Sequence, residues 1–281
     1  MQAPLPASRI DAIVSAALAE DLGEAGDLTT NAIFPEEARI TAHMVSRQAG
    51  VLAGVEIGLR AFTLLDPLVS VQPFRRDGDR VAAGDTIATI AGSARAVLSA
   101  ERTALNFVSH LSGIATATRK LVDQIVGTRA AIAATRKTMP GLRALEKYAV
   151  QCGGGSTHRF GLYDAVLIKD NHIATSGSIR AAVEAVRRSV GHLVKIEVEV
   201  DTLDQLEEAL QLQIDAVLLD NMDIDSMRKA VEIAGGKVVL EASGGVTADT
   251  VRDIAETGVD LISSGAITHS APILDIALDV D

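Results

Sequence analysis

Aromatic residues are scarce in this chain of 281 residues, which has no Trp, two Tyr and five Phe. The scarcity removes the aromatic platforms on which single-stranded nucleic acids stack, and a formal net charge of −11 opposes binding to a phosphate backbone. We therefore expect no nucleic acid partner. Because 48% of the residues are still hydrophobic, the core must consist of Ala, Val, Leu and Ile, as is typical of helices packed on parallel strands.

Cysteine and long apolar runs are also lacking. Cys152 is the single cysteine, so an internal disulfide is excluded, and this fits a reducing compartment. No window approaches the roughly 20 apolar residues of a membrane span, and the first residues lack the basic and apolar regions of a signal peptide. These absences predict a cytoplasmic protein without a membrane partner.

Positive charge is concentrated in one stretch of an otherwise acidic chain. Residues 119–159 hold eight Lys or Arg against two acidic residues. Guanidinium groups bind carboxylates and phosphates through paired hydrogen bonds, so Arg136 and Arg159 predict a site for a ligand with several negative oxygens. Arg143 and Lys147, one turn apart on a predicted helix, are interpreted as a solvated face.

From about residue 129 onward, apolar runs alternate with amphipathic helical patterns. The runs that fit buried strands are 130–134, 165–168, 196–200, 216–219, 238–240 and 261–262. Six such units with short turns predict a parallel sheet closed into a barrel, and an open doubly wound sheet is the alternative. Thr202 with Gln205 predicts a capping box, and Thr247 a cap for the last helix of the series.

The first 128 residues show a different pattern. A helical pattern is followed by short strand candidates near 39–47, 68–74 and 85–91, and then by a long helical stretch from about Ala94 to Gly127. We predict an α+β domain with a linking helix over residues 1–128 and an α/β catalytic domain over residues 129–270. The tail, residues 271–281, is predicted to return to the first domain as a strand.

Charged residues close four successive predicted strands: Lys169, Glu199, Asp220 and Glu241. Because the carboxyl ends of parallel strands form one rim, where barrel enzymes build their active sites, we predict that these side chains meet there. A charged residue at a strand end often reflects only the solvent-exposed position of that end. Charged residues at the ends of four successive strands favour a functional role instead.

The strand at residues 195–200 places three charged residues on one face, since side chains alternate along a strand. Unpaired buried charge costs several kcal/mol, so these residues are predicted to be paired with one another, a metal or a ligand. We interpret Lys195 and Glu197 as a structural pair and Glu199, nearest the rim, as functional.

Two glycine-containing turns follow the last predicted strands, at Ser243-Gly244-Gly245 and Ser264-Gly265-Ala266. Free backbone N–H groups before a helix predict anion sites, and phosphate sites recur at this place in barrels. A third run, Gly153 to Gly155, fits either a helix C-terminal turn or a flexible loop.

Seven segments together resemble the quinolinate phosphoribosyltransferase family over almost the whole chain. They are EDLGEAGDLTT (20–30), ERTALNFVSHLSGIAT (101–116), ATRKTMPGLRALEKYAVQCGGGSTHRFGLYDAVLIKDNH (134–172), IEVEVD (196–201), LLDNM (218–222), EASGGV (241–246) and SSGAITHS (263–270). The long central block is highly specific.

The resemblance implies a fold, an assembly and a reaction. The fold is α/β, with an N-terminal sandwich domain followed by an incomplete, six- or seven-stranded parallel α/β barrel. The assembly is a homodimer with shared active sites, sometimes built into hexamers. The reaction is transfer of a phosphoribosyl group from phosphoribosyl pyrophosphate to quinolinate with loss of CO₂, giving nicotinate mononucleotide for NAD biosynthesis.

Site residues carried over from the family divide between two substrates and a metal. In this expectation, the quinolinate pocket comprises Thr135, Arg136, His158, Arg159, Lys169 and Arg102 of the partner subunit. Lys137, Glu199 and Asp220 face the phosphoribosyl pyrophosphate, and the two acids act on its Mg²⁺ and ribose hydroxyls. The 5′-phosphate is received by Ser243, Gly244, Gly245, Ser264, Gly265 and Ala266.

Four other functions are alternatives to this one. Lys169 at a strand end also fits the Schiff-base lysine of an aldolase. Residues 77–92 resemble a biotinyl or lipoyl carrier, but residues 61–100 contain no lysine to modify, which excludes a working carrier. Within the superfamily, a nicotinate phosphoribosyltransferase and a molybdenum-associated relative remain alternatives, although the density of cations favours a dicarboxylate.

Overall fold

The structure is a computed structural model that describes residues 5–281. The elements up to the long helix are α1 (Ala7–Leu22), α2 (Leu28–Ile33), β1 (Arg39–Ser46), β2 (Gly50–Val51), α3 (Val55–Leu65), β3 (Ser70–Pro73), β4 (Arg80–Val81), β5 (Thr86–Ser93) and α4 (Ala94–Gln124). Those that follow are β6 (Ala131–Ala133), α5 (Arg143–Cys152), β7 (Val166–Ile168), α6 (Asp170–Ser176), α7 (Ile179–Ser189), β8 (Ile196–Val200), α8 (Leu203–Leu210), β9 (Ala216–Asp220), α9 (Ile224–Ala234), β10 (Val239–Ser243), α10 (Val251–Ala255), β11 (Leu261–Ser263), α11 (Ala266–His269) and β12 (Ile276–Val280). No helix in this described range is long and apolar enough to cross a membrane.

The chain divides into two compact units. The first comprises the described residues through Arg119, Ala144–Gly154 and Ser270–Asp281, and the second comprises Lys120–Arg143 and Gly155–His269. The first unit thus gathers three separated parts of the chain. The domain boundary at residue 128 stays a prediction.

A four-stranded antiparallel sheet in the order β12-β1-β5-β3 forms the centre of the first unit. Strand β12 pairs with β1 from Ala42 opposite Val280 to Ser46 opposite Ile276, which confirms that the tail returns to this unit as a strand. At Gly113 of α4, a β-carbon would overlap the carbonyl of Pro272, so the glycine allows the tail to pass close to the helix.

Helix α5 ends at Cys152 in a glycine turn: Gly153 N–H donates to the Ala149 carbonyl at 3.0 Å. The structure thereby favours the helix C-terminal turn over the flexible loop. Tyr148, one turn before Cys152, donates its hydroxyl to Asp77 at 2.8 Å. Burial, and then the negative charge of Asp77, raise the pKa of Cys152 to about 12.

We expect the Cys152 thiol to resist alkylation although it is only partly buried. At pH 8 a thiol with a pKa of about 12 is ionised roughly a thousandfold less than an ordinary cysteine, and only the thiolate reacts. The measurement is the rate of iodoacetamide labelling of native protein against protein unfolded in urea. Equal rates in the two states would contradict the environment described here.

The interpretation of Arg143 and Lys147 as a solvated face is wrong. Lys147 is fully buried in α5, beside the equally buried Glu146, whose carboxylate contacts His110 Nε2 at 2.9 Å. Arg143, half-buried at the start of the helix, donates through Nε to the Thr138 hydroxyl at 3.0 Å. The helical pattern gave the spacing of the charges correctly but not the direction they face, which depends on packing.

The second unit is built on a sheet of six parallel strands in the order β6-β11-β10-β9-β8-β7. The sheet is not closed, and β6 and β7 are its edge strands. This confirms the expected α/β class and the incomplete barrel that the family resemblance implies. The closed barrel predicted from the apolar runs is wrong, because no strand pairs β6 with β7 among the described residues. All six strands that the apolar runs predict are present within two residues of their predicted starts.

Helix caps in the second unit test two local predictions. Thr202 and Gln205 form the expected capping box at the start of α8. The cap assigned to Thr247 is wrong, because α10 begins later and Thr250 is its N-cap residue. Thr247 instead donates its backbone N–H to the Thr250 hydroxyl at 3.0 Å, so this segment forms a turn before the helix.

Candidate active site

A cavity of about 800 Å³ opens at the carboxyl ends of the six parallel strands. Its lining includes the four charged residues that the sequence places at the rim, Lys169, Glu199, Asp220 and Glu241. The other predicted site residues that line it are Thr135, Arg136, Lys137, His158, Arg159, Ser243, Gly244, Gly245, Ser264, Gly265 and Ala266. Arg102 lies exposed on α4 of the first unit, and its contribution from a partner subunit stays a prediction.

Two guanidinium groups form the cationic wall of this cavity. Arg136 follows β6, and Arg159 precedes β7 and donates to the Ala165 carbonyl at 3.2 Å. Burial, and then the positive charge of Arg136, lower the pKa of Arg159 from its ordinary value. Arg136 Nε is buried and has no hydrogen-bond partner among the described residues. Like charges held together with unused donors are typical of a site whose anion comes with the ligand.

Lys169 and Glu199 form an ion pair at the neighbouring strand ends. Lys169 is the N-cap residue of α6, where its backbone N–H donates to His172 Nδ1 at 2.9 Å. Its side chain is 44% exposed, whereas that of Glu199, on β8, is 12% exposed. The ammonium group is therefore held by a largely buried carboxylate while it still faces the open part of the cavity.

Asp220, at the end of β9, is held by its neighbour Asn221. Asn221 has a φ of 52°, in the left-handed region, and donates its side-chain amide to Asp220 Oδ2 at 2.8 Å. Its backbone N–H donates to the Ser243 carbonyl at 2.9 Å. Asn221 is a site residue that the sequence patterns above do not predict. The available signal is an Asn directly after a strand-ending Asp, since Asn is among the few residues that tolerate this backbone region.

The two glycine turns lie where the sequence places them, after β10 and β11. Gly244 and Gly245 have φ values of 98° and 60°, which favour glycine. A β-carbon on Gly265 would contact the Lys137 side chain, and Thr268 donates its hydroxyl to the Lys137 carbonyl at 2.6 Å. The second turn therefore also positions Lys137 against the cavity.

The predicted pairing of Lys195 with Glu197 is wrong. Lys195, exposed before β8 begins, pairs with Asp215 at 2.6 Å. Glu197 is buried and contacts His158 Nε2 at 2.9 Å. The reason is the parallel register, which brings Asp215, just before β9, beside the start of β8, where it also accepts the Ile196 N–H at 2.9 Å.

Asp215 gives a pH-dependent contribution to stability. Burial acts to raise its pKa, but hydrogen bonds from Lys195 and the Ile196 N–H outweigh burial and lower it. A carboxylate with a lowered pKa stabilises the fold above its unfolded value of 3.8, and this contribution is lost as pH falls through the folded pKa. We expect Asp215→Asn to be less stable than wild type at pH 6, with the difference shrinking below about pH 4.

Urea unfolding of both proteins at pH 6 and pH 3 measures this difference. Asp225→Asn, at an exposed i to i+3 pair with Arg228, is the matched control and should differ little from wild type at either pH. A stability difference for Asp215→Asn that is equal at the two pH values would contradict the assignment.

His158, Glu197 and Glu241 form a cluster in the wall of the second unit, with one ligand atom of each within 4.8 Å of the others. Glu241 lies on β10, and Glu197 on β8, separated by β9 in the sheet. The sequence analysis placed Glu241 at the rim and His158 in the site, but it did not connect either with Glu197. Residues that are 39 and 44 apart along the chain give no local signal of this contact.

The whole chain matches known proteins. Sequence models described as the N-terminal and C-terminal domains of quinolinate phosphoribosyl transferase match residues 27–112 and 114–279. A probable nicotinate-nucleotide pyrophosphorylase [carboxylating] of Bacillus subtilis is 46% identical over 93% of this chain and 90% of its own length. The enzyme of that name from Mycobacterium leprae is also 46% identical, over 94% of each chain.

Solved structures agree with the sequence matches. The crystal structure of NadC from Streptococcus pyogenes superposes with a TM-score of 0.96 at 40% identity, covering 100% of this chain and 99% of that one. The nicotinate-nucleotide pyrophosphorylase of Ehrlichia chaffeensis gives a TM-score of 0.93 at 43% identity over the full length of both chains. With both domains matched and the predicted rim assembled in one cavity, this chain belongs to the quinolinate phosphoribosyl transferase family.

Proposed function

We propose that this chain transfers the phosphoribosyl group of phosphoribosyl pyrophosphate to quinolinate and releases CO₂. The observation that carries the proposal is the pair Arg136 and Arg159, two cations held in one cavity where they repel each other. A ligand with more than one negative group can satisfy both cations, and a pyridine dicarboxylate is such a ligand. The product is nicotinate mononucleotide, which agrees with the names of the relatives and with a role in NAD biosynthesis.

The substrates divide the cavity in this proposal. Arg136, Arg159 and Lys169, with Thr135 and His158 in the lining, face the two carboxylates. The turns at 243–245 and 264–266 offer backbone N–H groups to the 5′-phosphate. Lys137, placed by the second turn, faces the pyrophosphate, and Arg102 of a partner subunit completes the quinolinate pocket.

The chemistry has two steps. The pyridine nitrogen forms a bond to ribose C1 as the bond from C1 to pyrophosphate breaks, and the pyrophosphate leaves with the electron pair. The bond between ring C2 and its carboxylate then breaks, CO₂ leaves, and a proton adds to C2. Lysine side chains neutralise the leaving group, and the carboxylates of Glu199 and Asp220 favour the cation-like ribose of the transition state.

Glu199 and Asp220 fit a magnesium ion that enters with the pyrophosphate substrate. Both offer carboxylate oxygens at neighbouring strand ends, the ligand type that Mg²⁺ prefers. Lys169 and Asn221 already hold one oxygen of each acid, so the other oxygens are the ones available to the metal or to its waters. When bound, the ion neutralises charge on the pyrophosphate as it leaves.

The aldolase alternative loses support at Lys169. A Schiff-base lysine must react as a free amine, whereas Lys169 is paired with the carboxylate of Glu199. A monocarboxylate such as nicotinate leaves part of the cationic wall without an anion. The assembly remains part of the proposal: a homodimer that shares active sites through Arg102. Its location in the proposal is the cytoplasm, which the single cysteine suggests.

Turnover of the purified protein with quinolinate, phosphoribosyl pyrophosphate and Mg²⁺ tests the proposal. We expect nicotinate mononucleotide and CO₂ in equal amounts, measured by chromatography and by release of label from the 2-carboxyl group. Parallel reactions with nicotinate and without phosphoribosyl pyrophosphate serve as controls. Nucleotide formed from nicotinate but not from quinolinate would overturn the proposed substrate.

A further inference from the structure

Two buried glutamates of the second unit have no role in the reaction described above. Glu241 is 1% exposed and Glu197 is 8% exposed, although each carries a carboxylate. A buried carboxyl group needs a hydrogen-bond partner, because leaving it unpaired costs about 1–3 kcal/mol. Both lie within ion-pair distance of the same side chain, that of His158: Nε2 is 2.9 Å from Glu197 Oε2 and 3.6 Å from Glu241 Oε2.

The other ring nitrogen of His158 decides its protonation pattern. The backbone N–H of Arg159 donates to His158 Nδ1 at 2.8 Å. A backbone N–H is always a donor, so Nδ1 must present its lone pair and carries no proton. Nε2 therefore carries the proton of the neutral ring and donates it to Glu197. Both ring nitrogens are engaged by the protein itself.

We propose that Glu197 is a positioning residue: it accepts the hydrogen bond of the Nε2-protonated tautomer of His158, which through Nδ1 holds the backbone of Arg159 and so aims its guanidinium into the cavity. Glu241, 3.6 Å from the same nitrogen, supports this arrangement electrostatically. Arg159 is then held at two points, by His158 at its backbone N–H and by the Ala165 carbonyl at its guanidinium. The negative charge of Glu197 also raises the pKa of Arg159, against burial and the charge of Arg136. The inference rests on the proposed function only in taking quinolinate as the ligand of Arg159; the contacts of His158 do not depend on it.

The same tautomer argues against a metal ion in this cluster. A metal would need the lone pair of Nε2, which requires the proton on Nδ1, and that proton would point at the Arg159 N–H. The ring as held by Arg159 thus favours a positioning role over metal binding, although three residues that could bind a metal lie close together.

Nitrogen NMR of the histidine rings tests the tautomer without any turnover. We expect His158 to show a protonated Nε2 and an unprotonated Nδ1 at pH 7.5, with its signals assigned by their loss in His158→Gln. A ring protonated on Nδ1, or on both nitrogens, would overturn the proposal. Because this measurement needs no substrate, its result stands apart from whether quinolinate is turned over.

Kinetics of three Glu197 and Glu241 variants test the consequence for Arg159. Glu197→Met removes the acceptor, and we expect KM for quinolinate to rise about tenfold, as for a buried donor left unpaired, with KM for phosphoribosyl pyrophosphate within about twofold of wild type. Glu197→Gln keeps an acceptor oxygen and should restore KM for quinolinate to within about threefold. Glu241→Gln, at the longer distance and with an acceptor oxygen kept, should raise KM for quinolinate by no more than Glu197→Gln does.

Unchanged KM for quinolinate in Glu197→Met, or an equal rise of KM for both substrates, would overturn the proposal. A KM for quinolinate in Glu197→Gln as high as in Glu197→Met would also overturn the proposal, since a hydrogen-bond acceptor is all that the positioning role requires. If Glu197→Met does not fold, the Glu197→Gln comparison and the tautomer measurement still decide. Turnover of quinolinate by wild type is checked first, so a wrong substrate is recognised separately.

Discussion

Replacing Arg136 by alanine is expected to lower kcat/KM for quinolinate by roughly 30-fold to several thousandfold, because truncating one member of a desolvated charge pair costs about 2–5 kcal/mol. Arg136 lines the cavity, and its buried Nε has no partner among the described residues, so its favourable interactions are made chiefly with the ligand. Steady-state kinetics with quinolinate varied at saturating phosphoribosyl pyrophosphate measure the effect.

Arg228→Ala is the matched control for this loss. Arg228 lies exposed on α9 and pairs with Asp225 at 3.0 Å, so its removal should change kcat/KM by less than about twofold. Removing Arg136 should also stabilise the empty protein slightly or leave it unchanged, because Arg159 then loses a repelling neighbour. An Arg136→Ala enzyme with half or more of the wild-type kcat/KM would contradict the assigned carboxylate site.

Gly244→Ala is expected to destabilise the protein by about 2–6 kcal/mol and to abolish most phosphoribosyl transfer. Two costs add at this position. The φ of 98° strains any side chain, which costs about 1–3 kcal/mol. The new β-carbon would also overlap the Asn221 side chain, and overpacking costs about 1–3 kcal/mol. To relieve this overlap Asn221 must move, and its side chain is hydrogen-bonded to Asp220.

Gly245→Ala separates the two costs. Gly245 also has a positive φ, 60°, but a β-carbon there meets nothing within 4 Å, so only backbone strain remains and a loss of about 1 kcal/mol is expected. Urea unfolding of the two variants gives the difference, and KM for phosphoribosyl pyrophosphate shows whether Asp220 has moved. Equal destabilisation of the two variants would show that the contact with Asn221 carries no energy.

Much of the second unit follows from the sequence because its determinants are local. An apolar run of four or five residues next to an amphipathic helix is enough to predict a strand in a parallel sheet, as at Ala216–Asp220. The rim residues followed from the same reasoning, since a charge directly after a buried strand marks its carboxyl end. Roles within the site came from the resemblance to the family rather than from these patterns.

The wrong predictions share a physical cause: they depend on tertiary contacts rather than on local sequence. Lys195 was assigned to Glu197 from alternation along one strand, but ion pairing depends on the register of the neighbouring strand, which brings in Asp215. Lys147 was assigned to the surface from its charge, and tertiary packing buries it. The contact of His158 with Glu197 joins distant parts of the chain, so no spacing rule reports it.

Affinity for pyridine carboxylates tests whether the cavity binds a dicarboxylate. Calorimetric titration of the protein with quinolinate, nicotinate and picolinate compares a ligand that has both carboxylates with two ligands that have one each. If the cationic wall of Arg136 and Arg159 binds a dianion, quinolinate should bind at least about tenfold more tightly than either monocarboxylate, and Arg136→Ala should remove most of that advantage. Nicotinate or picolinate binding as tightly as quinolinate would contradict the account.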